Sequence, residues 1–430
     1  MSFPSESVES QRPPTLPQGA IGPPAISMSR AWLLVAFMWV AYFLNYSDRQ
    51  VVFSIFPILQ SELGFSDTQL GLTGSIFLWV YAICSPIAGQ IGDRFSKRVL
   101  VALSLFLWSG VTTLTGLSNS ASTLLACRAL IGITESLFMP AAVALTANAH
   151  GPATRSRAIA LFDTAQLGGV VMGGWFGGFM AQEYHWRWAF YSLGLFGILY
   201  AAPYFLFLRN TSEEAQVETK KSGATFAISA LIRVPSYRIL CLVFPAFTFV
   251  LWLLYAWLPN FLYEKFSLSL SEAGFTATVY LQTATFFGLL LGGVLADWLY
   301  RHTQAARFWL VAAGLFLASP CVHLIGNSDS LFFTKLAAVG FGLGSGILIA
   351  NLMVSSFDVI PADTRASAVG WLNFIGAFVS GFAALLGGSL KQTVGIDQLL
   401  TYSSALCVAA AGLLLLAIRF YFHEDYRRVH

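Results

Sequence analysis

Charge is what this sequence has least of. Only 10% of its 430 residues are Asp, Glu, Lys or Arg, against about 25% in a soluble globular domain. A string of soluble domains is therefore excluded, although the length alone would allow several. Cysteine is scarce too. Cys84, Cys127, Cys241, Cys321 and Cys407 all fall in or beside apolar runs, with no Cys-x-x-Cys or Cys/His spacing. That argues against a disulfide framework and against a metal site. There is no P-loop and no Gly-x-Gly-x-x-Gly unit with a trailing acid, so no cofactor is expected and a nucleotide-driven pump is excluded. Residues 1–29 are rich in Ser, Pro and Glu and lack the basic start, apolar core and cleavage site of a secretory signal. They are expected to form a disordered cytoplasmic tail. The net charge of +3 gives no indication of nucleic acid binding.

What the sequence has instead is apolar length. It is 56% hydrophobic and 15% aromatic, and twelve apolar segments can be counted, at 31–58, 68–91, 98–117, 121–147, 156–181, 186–208, 237–263, 272–299, 306–326, 331–356, 364–389 and 398–422. Each is long enough for a tilted transmembrane helix, which needs about 20 residues. The reading is an all-α membrane protein of twelve transmembrane helices in two six-helix bundles, 30–208 and 237–422. A cytoplasmic linker, 209–236, joins them, and a short cytoplasmic tail, 423–430, follows. Lys and Arg concentrate on one set of loops, including Arg94, Lys97, Arg98, Arg155, Arg157, Lys220, Lys221, Arg301, Arg307 and Arg365. The opposite set carries only Arg187, Lys265, Lys335 and Lys391. By the positive-inside rule both termini are expected in the cytoplasm.

The two halves repeat one another. Gly89-Gln-Ile-Gly-Asp93-Arg94 recurs as Gly293-Val-Leu-Ala-Asp297-Trp298, and Pro152-Ala-Thr-Arg155 as Pro361-Ala-Asp-Thr-Arg365. Pro57, Ser66 and Gly71 recur as Pro259, Ser269 and Gly274. Three motifs in the same order at similar offsets imply duplication of a six-helix unit.

At the first of these motifs, Gly89-Gln-Ile-Gly-Asp93-Arg94-Phe-Ser96-Lys97-Arg98, the chain resembles the major facilitator superfamily, with Ser96 where Gly is usual. The resemblance covers about residues 30–425. It implies two six-helix bundles around a central cavity, with alternating access. No nucleophile-base or metal arrangement in the sequence supports an enzyme reading, so none is expected. Asn45-Tyr-Ser-Asp48-Arg49, Phe65-Ser-Asp-Thr-Gln-Leu-Gly71, Arg128 with Glu135, and Trp186-Arg-Trp-Ala-Phe190 are similar to two groups. One is the anion:cation symporters, which include sialin and sugar-acid carriers. The other is the spinster family of lipid and lysolipid carriers. The expected function is proton-coupled symport of a small organic anion, a sugar acid or carboxylate. The alternative is a spinster-like carrier of lysolipid or another amphipathic lipid. The expected setting is a multi-pass, monomeric protein of the bacterial inner membrane, with the anion, protons and the bilayer as its partners.

The chemistry concentrates in two stretches. Asp48 and Arg49 adjoin in the first apolar run, and Arg128 and Glu135 lie two turns apart on one face of the fourth. Ionisable groups at membrane depth are costly and are functional by default. Burial disfavours a charged carboxylate and a neighbouring arginine favours it, so such a set can switch between ion-paired and protonated. Glu135 and Asp48 are the expected proton sites. Arg49 and Arg128, whose planar forks match a carboxylate, are the expected anion ligands. Static salt bridges tying the first helix to the fourth are the competing reading. Gln166, Tyr46, Tyr280, Asn351 and Asn373 are further candidates for substrate contact. Asp93, Arg94, Arg98, Asp163 and Asp297 are candidates for a cytoplasmic gate.

Overall fold

In this computed structural model residues 27–209 and 231–430 are described, and among them the ordered elements are all helical. Almost all of the 1–29 tail and most of the 209–236 linker lie outside the described residues. The first half comprises α1 (Met28–Ser54), α2 (Phe56–Leu63), α3 (Asp67–Arg94), α4 (Lys97–Gly116), α5 (Ala121–Ser136), α6 (Phe138–Ala149), α7 (Pro152–Glu183) and α8 (Trp186–Arg209). The second comprises α9 (Pro235–Phe266), α10 (Leu270–Tyr300), α11 (Ala306–Asn327), α12 (Leu331–Ser356), α13 (Arg365–Leu390) and α14 (Ile396–Phe420). A short α15 (Phe422–Val429) ends the chain.

Proline accounts for two of the helix breaks. It has no N–H to donate and its ring crowds the carbonyl four residues back. Pro57 sits just after the break at Ile55 that separates α1 from α2. Pro140 sits just after the break at Leu137 that separates α5 from α6, and so places Glu135 in the last turn of α5. Merging these pairs gives six spans per half. Eleven helices among the described residues are long and apolar enough to cross a membrane. The twelfth, α7, falls short although apolarity was expected of it. It carries Arg155, Arg157 and Asp163 and is rich in glycine. Six of those glycines, Gly168, Gly169, Gly173, Gly174, Gly177 and Gly178, press on the helices beside it. Close packing takes the place of apolar bulk.

The repeat seen in the sequence has a physical counterpart. Ser66 and Ser269 both cap a helix N-terminus in a reciprocal capping box, with Gln69 and Glu272 respectively. Five residues on, Gly71 and Gly274 both meet the opposite half. A Cβ on Gly71 would strike the Ala384 carbonyl, and one on Gly274 would strike the Gly174 carbonyl. So α3 lies on α13, and α7 on α10, as pseudo-symmetric seams.

Those seams close at one end only. With an even number of spans, both termini lie at one end, here the near end. Gly71, Gly174, Gly178, Gly274, Gly381 and Gly388 sit toward the far end, and each leaves no room for a Cβ because the other half is there. Gly89, Gly92, Gly293 and Gly370, on helices of the same two seams toward the near end, face open space. Among the described residues, the hydrogen bonds and ion pairs that join the halves lie from the far end to mid-depth. They are Gln50 to the Tyr255 carbonyl, Ser75 to the Gly381 carbonyl, Trp79 to the Phe378 carbonyl, and Asp67 with Lys391 and Gln392. The larger apolar core fills the second half and includes far-end residues of the first, such as Val51, Phe53, Phe56, Phe65 and Trp186. The halves are therefore parted at the near end.

Gly274→Ala should cost about 1–3 kcal/mol through overpacking. Gly412→Ala, whose Cβ would meet nothing within 4 Å, should be neutral or slightly stabilising, since Ala favours a helix over Gly by about 1 kcal/mol. Melting temperatures of the two variants in one detergent check this.

Candidate functional site

The two charged stretches do meet. Arg49 Nε donates to Glu135 Oε2 at 2.7 Å, which joins α1 to α5. Both residues are buried, Arg49 at 8% exposure and Glu135 at 1%. The Arg49 guanidinium lies over three rings, Tyr46 at 4.7 Å, Phe77 at 4.8 Å and Tyr81 at 5.1 Å. Such faces stabilise a cation that has lost its water. Tyr46, Tyr42 and Arg49 share one face of α1 by their spacing of three and four residues, and Phe77 and Tyr81 share one face of α3.

The other charged pair is arranged differently. Arg128 is fully buried, and its Nε donates to the Thr73 carbonyl at 3.0 Å while its guanidinium sits 5.0 Å from the Phe77 centroid. Its two terminal nitrogens, Nη1 and Nη2, have no hydrogen-bond partner. Asp48 turns towards α4, where its Oδ2 accepts from Thr112 Oγ1 at 3.1 Å, and its Oδ1 has no partner. Glu135 Oε1 is likewise unpartnered. Of the two inter-helix ion pairs that the four residues could make, Arg49 with Glu135 forms, while Asp48 and Arg128 make no ion pair among the described residues. Buried polar groups are nearly always satisfied. Two guanidinium nitrogens on α5 and two carboxylate oxygens, one on α1 and one on α5, are here left without a hydrogen-bond partner.

A recess of about 20 Å³ opens beside the pair, lined by Tyr42, Asn45, Tyr46, Arg49, Tyr81, Glu135, Phe138 and Met139. That is room for about one water. Tyr42 extends the wall by donating to Gln166 Oε1 at 3.2 Å. Asp163, three residues before Gln166, shares its face of α7 and has no ion pair among the described residues.

Other candidates stand apart from this cluster. Tyr280 lies under Lys335 Nζ at 5.4 Å. Asn351 donates to the Gly292 and Ile347 carbonyls and so ties α12 to α10. Asn373 is exposed on α13 and does not line the recess. Arg94 and Asp297 are exposed and Arg98 half-buried at the near end, where the halves are parted. The backbone of Asp93 belongs to the last turns of α3, and its side chain lies outside what is described. Tyr42, Phe77, Tyr81 and Thr112 were not anticipated from the sequence. The spacing of Tyr42 and Tyr46 ahead of Arg49 was a usable signal for the first of them. Thr112 had none, because its role depends on where α4 passes Asp48.

Comparison with known proteins decides the family. The Major Facilitator Superfamily profile matches residues 38–385. The chain belongs to the major facilitator superfamily. It is 26% identical over 402 residues to the "Probable L-galactonate transporter" of Escherichia coli, covering 89% of this chain and 87% of that one. It is 24% identical over 400 residues to the "Hexuronate transporter" of Bacillus subtilis, covering 89% and 92%. Among solved structures, a bacterial homolog to the human lysosomal transporter spinster, in an inward-facing and occupied conformation, superposes with a TM-score of 0.79. That match has 22% identity and covers 93% of this chain and 99% of the other. The superfamily and these relatives are transporters, so this is a multi-pass membrane transporter and not an enzyme.

Proposed function

We propose that this transporter carries a small organic anion of the sugar-acid or carboxylate class together with a proton, by alternating access. The observation that supports this best is the buried Arg49–Glu135 pair beside the unpartnered Nη1 and Nη2 of Arg128. Protonation of Glu135 removes the charge that holds Arg49. Arg49 and Arg128 can then both offer N–H groups to the carboxylate of the cargo, in charge-assisted bonds that favour planar, bidentate geometry. Loss of that proton restores the Arg49–Glu135 pair and expels the anion. Proton and anion thereby travel together, and the membrane interior never holds an uncompensated charge. Asp48, held by Thr112, is a second acid that can take part in the same exchange. Tyr46, Gln166 and the ring of Tyr81 provide hydroxyl, amide and flat surface suited to a polyhydroxylated chain.

The division into two bundles at 30–208 and 237–422, a monomeric carrier, the bacterial inner membrane as its site, and both termini in the cytoplasm complete the proposal. In that orientation the parted near end faces inward. Tyr280, Asn351 and Asn373 belong to the second half and would reach cargo only after the halves move. Asp93, Arg94, Arg98 and Asp297 would pair when the near end closes, with Asp163 nearer the pathway.

A spinster-like lipid carrier is the second reading. An apolar groove of about 220 Å³ between α9, α13 and α14, lined by Phe249, Leu253, Leu386 and Tyr402 among others, speaks for it. A melting screen of the purified protein with sugar acids, simple carboxylates, neutral sugars and lysolipids decides between them. A ligand at 100 times its Kd stabilises the folded state by about 2.7 kcal/mol. Sugar acids or carboxylates should raise the melting temperature and neutral sugars should not. A shift with lysolipid alone would replace the first reading with the second.

A further inference from the structure

Five polar side chains meet across the seam at the far end. Gln60 and Asp67 come from the first half, and Glu264, Lys391 and Gln392 from the second. Asp67 opens α3, where an acid suits the helix N-terminus, and Lys391 directly follows α13, where a cation suits the C-terminus. Lys391 Nζ lies 2.6 Å from Glu264 Oε1 and 3.4 Å from Asp67 Oδ1. Gln392 Nε2 donates to Asp67 Oδ2 at 2.5 Å, and Gln60 Nε2 donates to Asp67 Oδ1 at 2.8 Å. The Asp67 and Lys391 side chains are each only 11% exposed, so water and salt screen this pair less than a surface one. A Cβ on Gly388 would strike the Asp67 carbonyl, so the backbones meet directly beneath it.

We propose that Asp67 and Lys391 form a latch that holds the far end shut, and that on opening each keeps a partner within its own half. Each member keeps a companion in its own half. Lys391 retains Glu264 and the ring of Trp257, 5.7 Å away. Asp67 retains Gln60. Leaving one buried charge without its partner is strongly unfavourable; Lys391 keeps an ion pair in both states, and Asp67 keeps the Gln60 bond at the N-terminus of α3. Glu264 is thus the resting place of Lys391 when the far end is open. The closed state gains the ion pair across the seam and the Gln392 bond. The open state loses only those two. The latch rests on the alternating-access reading above but is independent of which anion is carried.

The experiment measures cysteine exposure in purified protein, with the five native cysteines replaced by alanine. Thr278→Cys reports the far end, because Thr278 is 2% exposed and packed against Gly174. Gly370→Cys reports the near end, where a side chain would face open space. Asp67→Asn and Lys391→Gln should each raise the maleimide labelling rate at position 278 by at least about threefold and lower it at position 370, as a shift of population requires. Asp67→Glu and Glu264→Gln should stay near the parent rate, and the former confirms that the fold tolerates change at the site. An unchanged rate in Asp67→Asn overturns the latch, as does a Glu264→Gln rate equal to that of Asp67→Asn. If sugar acids move both reporters in opposite directions while Asp67→Asn moves neither, only the latch fails. If neither ligands nor variants move either reporter, alternating access fails with it.

Discussion

Glu135→Gln is expected to abolish proton-driven accumulation of the anion while sparing counterflow exchange. The amide has nearly the shape of the acid and mimics its protonated form permanently. Its side-chain oxygen can still accept from Arg49 Nε, so the contact at 2.7 Å weakens without stranding the arginine among its three rings. The loss of concentrative uptake should exceed about tenfold, which corresponds to about 1.4 kcal/mol of driving force no longer coupled to the proton. Binding should also lose much of its dependence on pH. In the parent protein the anion competes with ionised Glu135 for Arg49, so binding weakens as pH rises, and the variant has no such competitor. Uptake into proteoliposomes with and without an imposed pH gradient, beside counterflow, reads both effects. Asp48→Asn run in parallel shows whether the acid held by Thr112 carries a second proton or is merely a partner for Arg128. Undiminished gradient-driven uptake by Glu135→Gln would leave the Arg49–Glu135 bridge as a static tie between α1 and α5.

Much of the architecture was legible in the sequence because a bilayer leaves few options. Apolar runs of about 20 residues become helices, since lipid offers the backbone no other hydrogen-bond partner. Repeated motifs in the same order at similar offsets revealed the duplication, and Ser66 and Ser269 turned out to be physically equivalent caps. The charged pairs were legible for the same reason, as ionisable groups where none can be tolerated without use. Partner choice was not. Whether Arg49 or Arg128 takes Glu135 depends on the rotation of α1 against α5 and on the break that Pro140 imposes after Ser136. Neither is written in residue spacing. Asn351 illustrates a second limit. A polar residue in an apolar helix can serve cargo or can hold a neighbouring carbonyl, and here it holds that of Gly292. The state of the seams was invisible as well, because Gly71 and Gly89 read alike in the sequence and only packing separates the closed end from the open one.

Arg128→Ala is expected to abolish anion binding as well as flux, in contrast to Glu135→Gln. The parent side chain is anchored at Nε by the Thr73 carbonyl and braced on Phe77, which leaves Nη1 and Nη2 free for a carboxylate. A hydrogen bond to a charged group contributes about 1.5–3 kcal/mol. Losing two therefore lowers affinity by at least about a hundredfold, at 1.4 kcal/mol per decade. The substitution also strips the cluster of a positive charge: with Glu135 protonated for binding, ionised Asp48 and Arg49 then sum to zero and the net attraction for an anion is lost. Arg128→Lys separates the two contributions. It retains the charge but offers a compact ammonium in place of a planar fork, and it loses the brace at Thr73. Affinity for a sugar acid should fall in Arg128→Lys by less than in Arg128→Ala, with the melting temperature of the unliganded protein close to that of the parent. Calorimetric titration of both variants with the sugar acid that stabilises the parent measures this. Parent-like affinity in Arg128→Ala would show that the cargo is held by Arg49 alone and that Arg128 serves only to lock α5 against α3.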